Sequence, residues 1–276
     1  MISIIINNNV YRYPEKWEEV GVKGIYAYTE HIRPNLERIY VSETDVNTEL
    51  YRQILTLIFG EITGMTHKEW LKVSVQQWSK LLLDKALNFM FTTPPFILRL
   101  PLKSIEIDGT KYIAPSDKFE NICAEEFHFT DMYFNKYYES NDIKWLYWLA
   151  ATLYRPATLE RWKQRNDMRE VFNRHLIDDR FEVMQKLPVA DLYLLAIWYE
   201  SCRSLLGKIC PALWEEASGK SKDNKGWVNV IWSLARHNPA FGDIESIKEK
   251  NLIELLINLQ DMAVEADELE QKLKTA

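Results

Sequence analysis

The sequence predicts a mainly α fold: a multi-helix domain with an N-terminal β-hairpin, one further short β-hairpin at about 104–113, and a long C-terminal helix. Three observations carry that prediction. Apolar residues recur at spacings of three and four along much of the chain, which is the period of one helix face. Only 9 Gly and 10 Pro occur in 276 residues, and they fall mostly between the periodic segments, where they act as stops and turns. Asp108-Gly109 sits between short β-rich runs and is a favoured hairpin turn pair.

Taken in order, residues 2–6 form a β-branched run, Asn7-Asn8-Asn9 a turn, and residues 10–13 the returning strand, ended by Pro14. Residues 14–19 read as a short helical or turn segment, and 21–45 show no period and read as irregular. A helix is expected over 46–59 (Leu50, Ile54, Leu57, Ile58), stopped by Gly60. Thr66 and Glu69 have capping-box spacing and open a helix through Trp70 and Val73. Another helix is expected over 75–91, ended by Thr92-Thr93-Pro94-Pro95.

After the hairpin at 104–113 the chain turns helical. Aromatic-rich helices are expected over 124–139 and 142–154, with Asn141-Asp142 breaking the first and capping the second, and Pro156 stopping the second. Polar-faced helices follow over 159–173 and 177–187, then a long one opened by Pro188 and ending near Gly207. The glycine-bounded polar stretch 219–226 reads as a linker, 227–236 as a helix, and 243–274 as a long helix broken near Lys250-Asn251. The expected parts are therefore 1–114 (α+β, with both hairpins), 115–218 (aromatic helices) and 227–276 (a helical tail).

Composition excludes several classes. A formal charge of −6 opposes a chain devoted to neutralising nucleic-acid phosphates. Three cysteines without CxxC spacing make neither a disulfide framework nor a zinc motif. No apolar run reaches the ~18 residues of a membrane span, and the start lacks a basic leader with a cleavage site, so a reduced, cytoplasmic origin is expected. The outlying figure is 13% aromatic residues, including 10 Trp. Large rings favour helix seams and protein interfaces.

Candidate chemistry is sparse. Five histidines occupy five separate segments, and phosphate-cradle and GxSxG patterns are missing. Glu125, Glu126, His128 and Asp131 come nearest to a metal or acid–base set, but a di-iron site needs a second Glu-x-x-His and more carboxylates. They are read as a structural face, and no metal, cofactor or small-molecule substrate is expected. Cys202 and Cys210 are read as small buried hydrophobes. The stretch from Glu125 to Trp148 that carries the rings has only Lys136 and Lys144 against five acids, so packing and protein contact are a better account than base stacking. In the tail, Leu252, Leu255, Leu259, Met262, Ala266, Leu269 and Leu273 keep an a/d spacing, with Glu265, Asp267, Glu268 and Glu270 acidic outside it. This stripe either packs on its own domain or pairs with a neighbour. The candidate partner-binding residues are Leu252, Leu255, Leu259, Met262, Leu269, Leu273, Trp145 and Trp148.

One resemblance spans about residues 1–215. Its stretches are Ile5-Ile6-Asn7-Asn8-Asn9-Val10-Tyr11-Arg12-Tyr13-Pro14-Glu15-Lys16-Trp17-Glu18-Glu19, the early helix ending Ile58-Phe59-Gly60, and the Asp108-Gly109 hairpin. Phe129-Thr130-Asp131-Met132-Tyr133 follows, then Leu149-Ala150-Ala151-Thr152-Leu153-Tyr154-Arg155-Pro156 and Leu187-Pro188-Val189 with Trp198-Tyr199. Together they resemble small helical proteins from the tail-morphogenesis region of tailed bacteriophages and prophages of the Bacteroidetes type. The motifs are packing motifs, so no functional residue is carried over. The resemblance implies a non-enzymatic tail assembly chaperone or minor tail protein whose partner is the tape-measure or tail-tube protein, or another copy of itself. It also implies a place in the host cytoplasm during assembly and in the virion tail. The alternative is a nucleic-acid-associated regulator using a basic helix over 159–175 (Arg161, Lys163, Arg165, Arg169, Arg174), although Glu160, Asp167 and Glu170 interleave it.

Overall fold

The computed structural model describes residues 1–6, 8–42, 45–74, 76–77, 87–158, 167–213 and 244–275. Contacts group the chain into two units, Met1–Phe96 with Pro188–Ile197, and Ile97–Leu187 with Trp198–Ala276. This grouping runs differently from a division at 114/115 and 218/227, because the second hairpin is tied to the helices that follow it.

In the first unit, β1 (Ile2–Ile6) pairs antiparallel with β2 (Asn9–Tyr13), Ile2 opposite Tyr13 and Ile6 opposite Asn9. Ile4, Ile6, Tyr11 and Tyr13 are buried while Ile5 and Val10 are exposed, as the period of two requires. Tyr13 meets Phe59 at 5.5 Å between ring centroids, and the Tyr11 hydroxyl donates to Glu69 at 2.9 Å. Glu69 also accepts from the backbone N–H of Thr66 at 2.7 Å, and Thr66 returns the bond. The expected capping box is therefore present, but its helix is the single turn His67–Trp70. Ser74 stops it, exchanging bonds with Gln77 (2.9 and 3.2 Å) and so starting a new cap before Val73 can extend the helix.

Three expectations for this unit need correction. The helix that Gly60 was to stop runs Thr48–Thr63, capped by the Asn47 side chain and ended by left-handed Gly64 (φ 74°). Gly60 serves packing instead: a Cβ there would lie 3.2 Å from both the Met65 carbonyl and the Trp70 indole nitrogen. Second, 21–45 is mostly helical: Val22–Ala27, a π turn Tyr28–Ile32, a 3-10 turn Arg33–Asn35 and Leu36–Ile39. Its buried face includes Gly24, Ala27 and Thr29, and the π turn shifts the register, so no hydrophobic period of 3.6 emerges. Third, the expected helix over 75–91 is interrupted, because Leu87 is left-handed (φ 58°) and Asn88–Thr92 starts after it; Val75 and 78–86 lie outside the described residues.

In the second unit, β3 (Ser104–Ile107) and β4 (Thr110–Ile113) pair through Asp108 (φ 52°) and Gly109 (φ 75°), the two positive φ values of a type I′ turn. A third strand, β5 (Arg155–Pro156), pairs with β4; Pro156 was expected only as a stop. The helices Ala124–Ser140 and Lys144–Leu153 meet at left-handed Asn141, and Asp142 accepts from the Lys144 N–H at 3.0 Å. Phe119 lies between Trp198 and Tyr199, 5.2 Å from each ring. Helix Ile177–Met184 lays Phe181 on Trp148 at 4.1 Å. Helix Val189–Ile209 continues two residues past Gly207.

The expected helix over 159–173 is corrected where it is described: residues 167–173 are not helical, and Arg169 bridges Ala157 as an extra strand-like pair. Residues 159–166, the linker 219–226 and the helix 227–236 lie outside the described residues. The C-terminal helix breaks where expected, into Ile244–Lys248 and Leu252–Thr275. Asn251 caps the second part (3.0 Å to the Ile253 N–H) and donates to the Glu120 carbonyl at 2.7 Å. Among the described residues no helix is long and apolar enough to cross a membrane.

Gly64 has open space where a side chain would go, so Gly64→Ala tests backbone conformation alone. It should lower stability by about 1 kcal/mol, read as a reduced urea midpoint at constant slope.

Candidate functional site

The strongest concentration of charge is buried. Glu126, in the first turn of helix Ala124–Ser140, is fully buried, and Arg155 and Arg169 are nearly so. Arg169 donates to Glu126 at 2.7 Å, to the Leu153 carbonyl at 3.1 Å and to the Asn121 carbonyl at 3.1 Å. Its Nε and Nη2 also take both oxygens of Asp167, at 3.0 and 2.9 Å. Arg155 donates to Glu126 at 3.0 Å and to the Glu170 carbonyl. Burial opposes the charge on Arg169, but Glu126 and Asp167 outweigh it and hold the guanidinium more firmly protonated than usual. Arg155 moves the other way, because burial dominates there. Both remain cations, since arginine starts from so high a value.

This network floors a cleft of about 630 Å³ that Cys123, Phe172, Lys248 and Glu254 help to line. The Cys123 thiol is pushed up to about 12, first by burial and then by the Glu126 charge, so it is no thiolate nucleophile near neutral pH. The carboxylates and the Nη donors in the floor are directed at one another and at carbonyls of three chain segments. The arrangement clamps those segments together.

The set seen in sequence around His128 is not brought together. Glu125 faces Arg174 at 4.0 Å. His128 is half-buried beside Phe129, where desolvation lowers its pKa. Asp131 turns inward, accepting from the Tyr199 hydroxyl at 3.2 Å and pairing with Arg203 at 3.0 Å. Burial raises the Asp131 carboxyl, against the lowering pull of Arg203, Asn135 and Tyr199.

Of the candidate contact residues, Leu252, Leu255 and Leu259 are buried within their own unit, whereas Leu269 and Leu273 are 60% and 79% exposed; Met262 lies between these extremes. Trp145 and Trp148 are half-buried in a ring stack: Tyr133 lies 6.2 Å from Trp145 and 5.4 Å from Trp148. Lys136 sits 4.5 Å above Trp145. The basic stripe of the alternative reading is not one helix face. Arg169 is locked in the buried network, Arg174 faces Glu125, and Arg161, Lys163 and Arg165 lie outside the described residues. A grouping missed in sequence is Glu30, His31 and Glu61, whose ligand-type atoms lie within 4.8 Å of one another. Glu30-His31 is visible as a pair, but Glu61 comes from a helix 30 residues on.

Glu126→Gln leaves two buried guanidinium groups short of one negative charge, and should lower stability by about 3–5 kcal/mol, measured by chemical denaturation of the full chain. Asp131 gives a pH signature. Its raised folded pKa stabilises the fold below the ordinary value of 3.8, and that contribution is lost as pH rises through the raised value. The stability of Asp131→Asn relative to the native chain should therefore climb as pH rises above the ordinary carboxylate value of 3.8 and level off once the raised value is passed, read from paired urea midpoints.

No protein-family model matches the chain, and neither a curated protein nor a solved structure is significantly similar to it.

Proposed function

We propose that the chain is a non-enzymatic protein that acts by protein–protein contact, with the distal half of helix Leu252–Thr275 as its contact element. One observation carries this reading: Leu269 and Leu273 continue the spacing of the buried Leu252, Leu255 and Leu259, yet stand in solvent. Exposed Val264 lies in the same distal half. An apolar stripe that outruns its own domain offers a partner helix two further heptads.

Charge selects the partner. Asp261 and Glu265 are exposed beside the stripe, and Glu268 pairs with Lys272 at 3.9 Å; a second copy in parallel register would bring Asp261 and Glu265 near like charges, whereas an amphipathic helix with basic flanks would complement them. The resemblance to tail-morphogenesis proteins supplies a biological class for that partner: a tape-measure or tail-tube protein, met during assembly or in the virion.

The test is co-expression of the full chain with the tape-measure protein of the same genome. Co-elution should occur and should weaken at least tenfold in Leu269→Glu/Leu273→Glu, since each buried leucine contributes about 1.5–3 kcal/mol. The double variant should keep the native melting profile, because both positions are exposed. Failure of the native chain to co-elute, or dimerisation through the same leucines in sedimentation, would count against this partner.

A further inference from the structure

The Glu30, His31 and Glu61 cluster lies wholly in the first unit. His31 Nε2 is 2.8 Å from Glu61 Oε1 and 3.9 Å from Glu30 Oε2. The backbone around it is compact. Glu30 and His31 occupy the π turn Tyr28–Ile32, whose i to i+5 bonding widens the turn and reduces the angle between successive side chains. Gly24 packs against the Glu61-bearing helix, where a Cβ would sit in ordinary contact with Ile62 at 3.4 Å but overlap Val20 at 2.6 Å. Asn35 then donates to the His31 carbonyl at 2.9 Å and steadies the turn.

The local charge is one-sided. Among the described residues neither Glu30 nor Glu61 has a lysine or arginine within ion-pair distance; their pairs are with His31. Arg33, two residues on, lies over the Tyr193 ring at 5.7 Å. Two carboxylates thus flank one imidazole.

We propose that Glu30, His31 and Glu61 bind one divalent transition-metal ion of the zinc class, through His31 Nε2 and one oxygen of each glutamate. Imidazole with carboxylates is a borderline donor set that suits such ions. Ligand bonds of about 2.0–2.2 Å place tetrahedral donors about 3.3 Å apart, between the two His31 separations already present. Binding displaces any proton on Nε2 and leaves at least one coordination position for water. The ion would clasp the π turn to helix Thr48–Thr63.

The probe is Co²⁺ added to the metal-free full chain, followed by Zn²⁺ displacement. One equivalent should bind, giving weak visible d–d bands without the intense near-ultraviolet thiolate band that a cysteine site would add. His31→Ala should abolish binding and Glu61→Gln should weaken it at least tenfold. Zinc should raise the melting temperature of the native chain and leave that of His31→Ala unchanged. Glu61→Gln alters an exposed carboxylate, so its loss of affinity remains readable if His31→Ala folds poorly. Unchanged binding in either variant, no binding by the native chain, or a thiolate band would overturn the site.

Discussion

The second unit depends on one constraint: Glu126 and two arginines sit out of water and must satisfy each other. Taking such ions from solvent is costly, and mutual attraction repays it only when every hydrogen bond is well placed. Arg169 meets that condition by reaching Asn121, Glu126 and Leu153 while Asp167, two residues before it, holds its other edge. Its demands explain why residues 167–173 are drawn out of a helix: a strand-like path brings Arg169 under the end of helix Lys144–Leu153. The same path places Pro156 and Ala157 so that β5 can complete the small sheet.

A second junction sets how the C-terminal helix is used. Ala124 donates to the Lys250 carbonyl at 3.0 Å and Leu252 to the Ile122 carbonyl at 2.9 Å, so the helix break is sewn to the start of helix Ala124–Ser140. From that point Leu252, Leu255, Leu256 and Leu259 are buried against their own unit. Gln260 accepts from the Ala212 N–H at 3.0 Å, and beyond it the stripe leaves the core. One apolar pattern therefore serves two environments, and the boundary falls near Met262.

Much of this was legible in the sequence where the signal is local. Asp108-Gly109 and Asn141 each adopt the left-handed backbone their chemistry tolerates, Thr66 and Glu69 close their capping box, and Asn251 breaks the last helix. Gly60 misled because a glycine that ends a helix and one that admits a neighbour look alike in one dimension. The run at 21–45 misled because a face built partly of Gly, Ala and Thr carries little hydrophobic contrast, and the π turn then shifts its register.

The candidate sites divide along the same line. Heptad spacing identified the contact stripe, but only packing shows that Leu255 is hidden while Leu269 stands free. Glu126 and Arg169 stood out in the sequence in other groupings, but the pairing of Glu126 with Arg169 and of His31 with Glu61 gave no warning, because a charged side chain has no period and its partner lies 43 residues away in one case and 30 in the other. The sequence by itself determined the mainly α class, both hairpins and the break before the last helix, since backbone preference and periodicity depend on near neighbours. Tertiary structure alone decided which charges are buried together and which leucines remain exposed, since both depend on which distant segments meet.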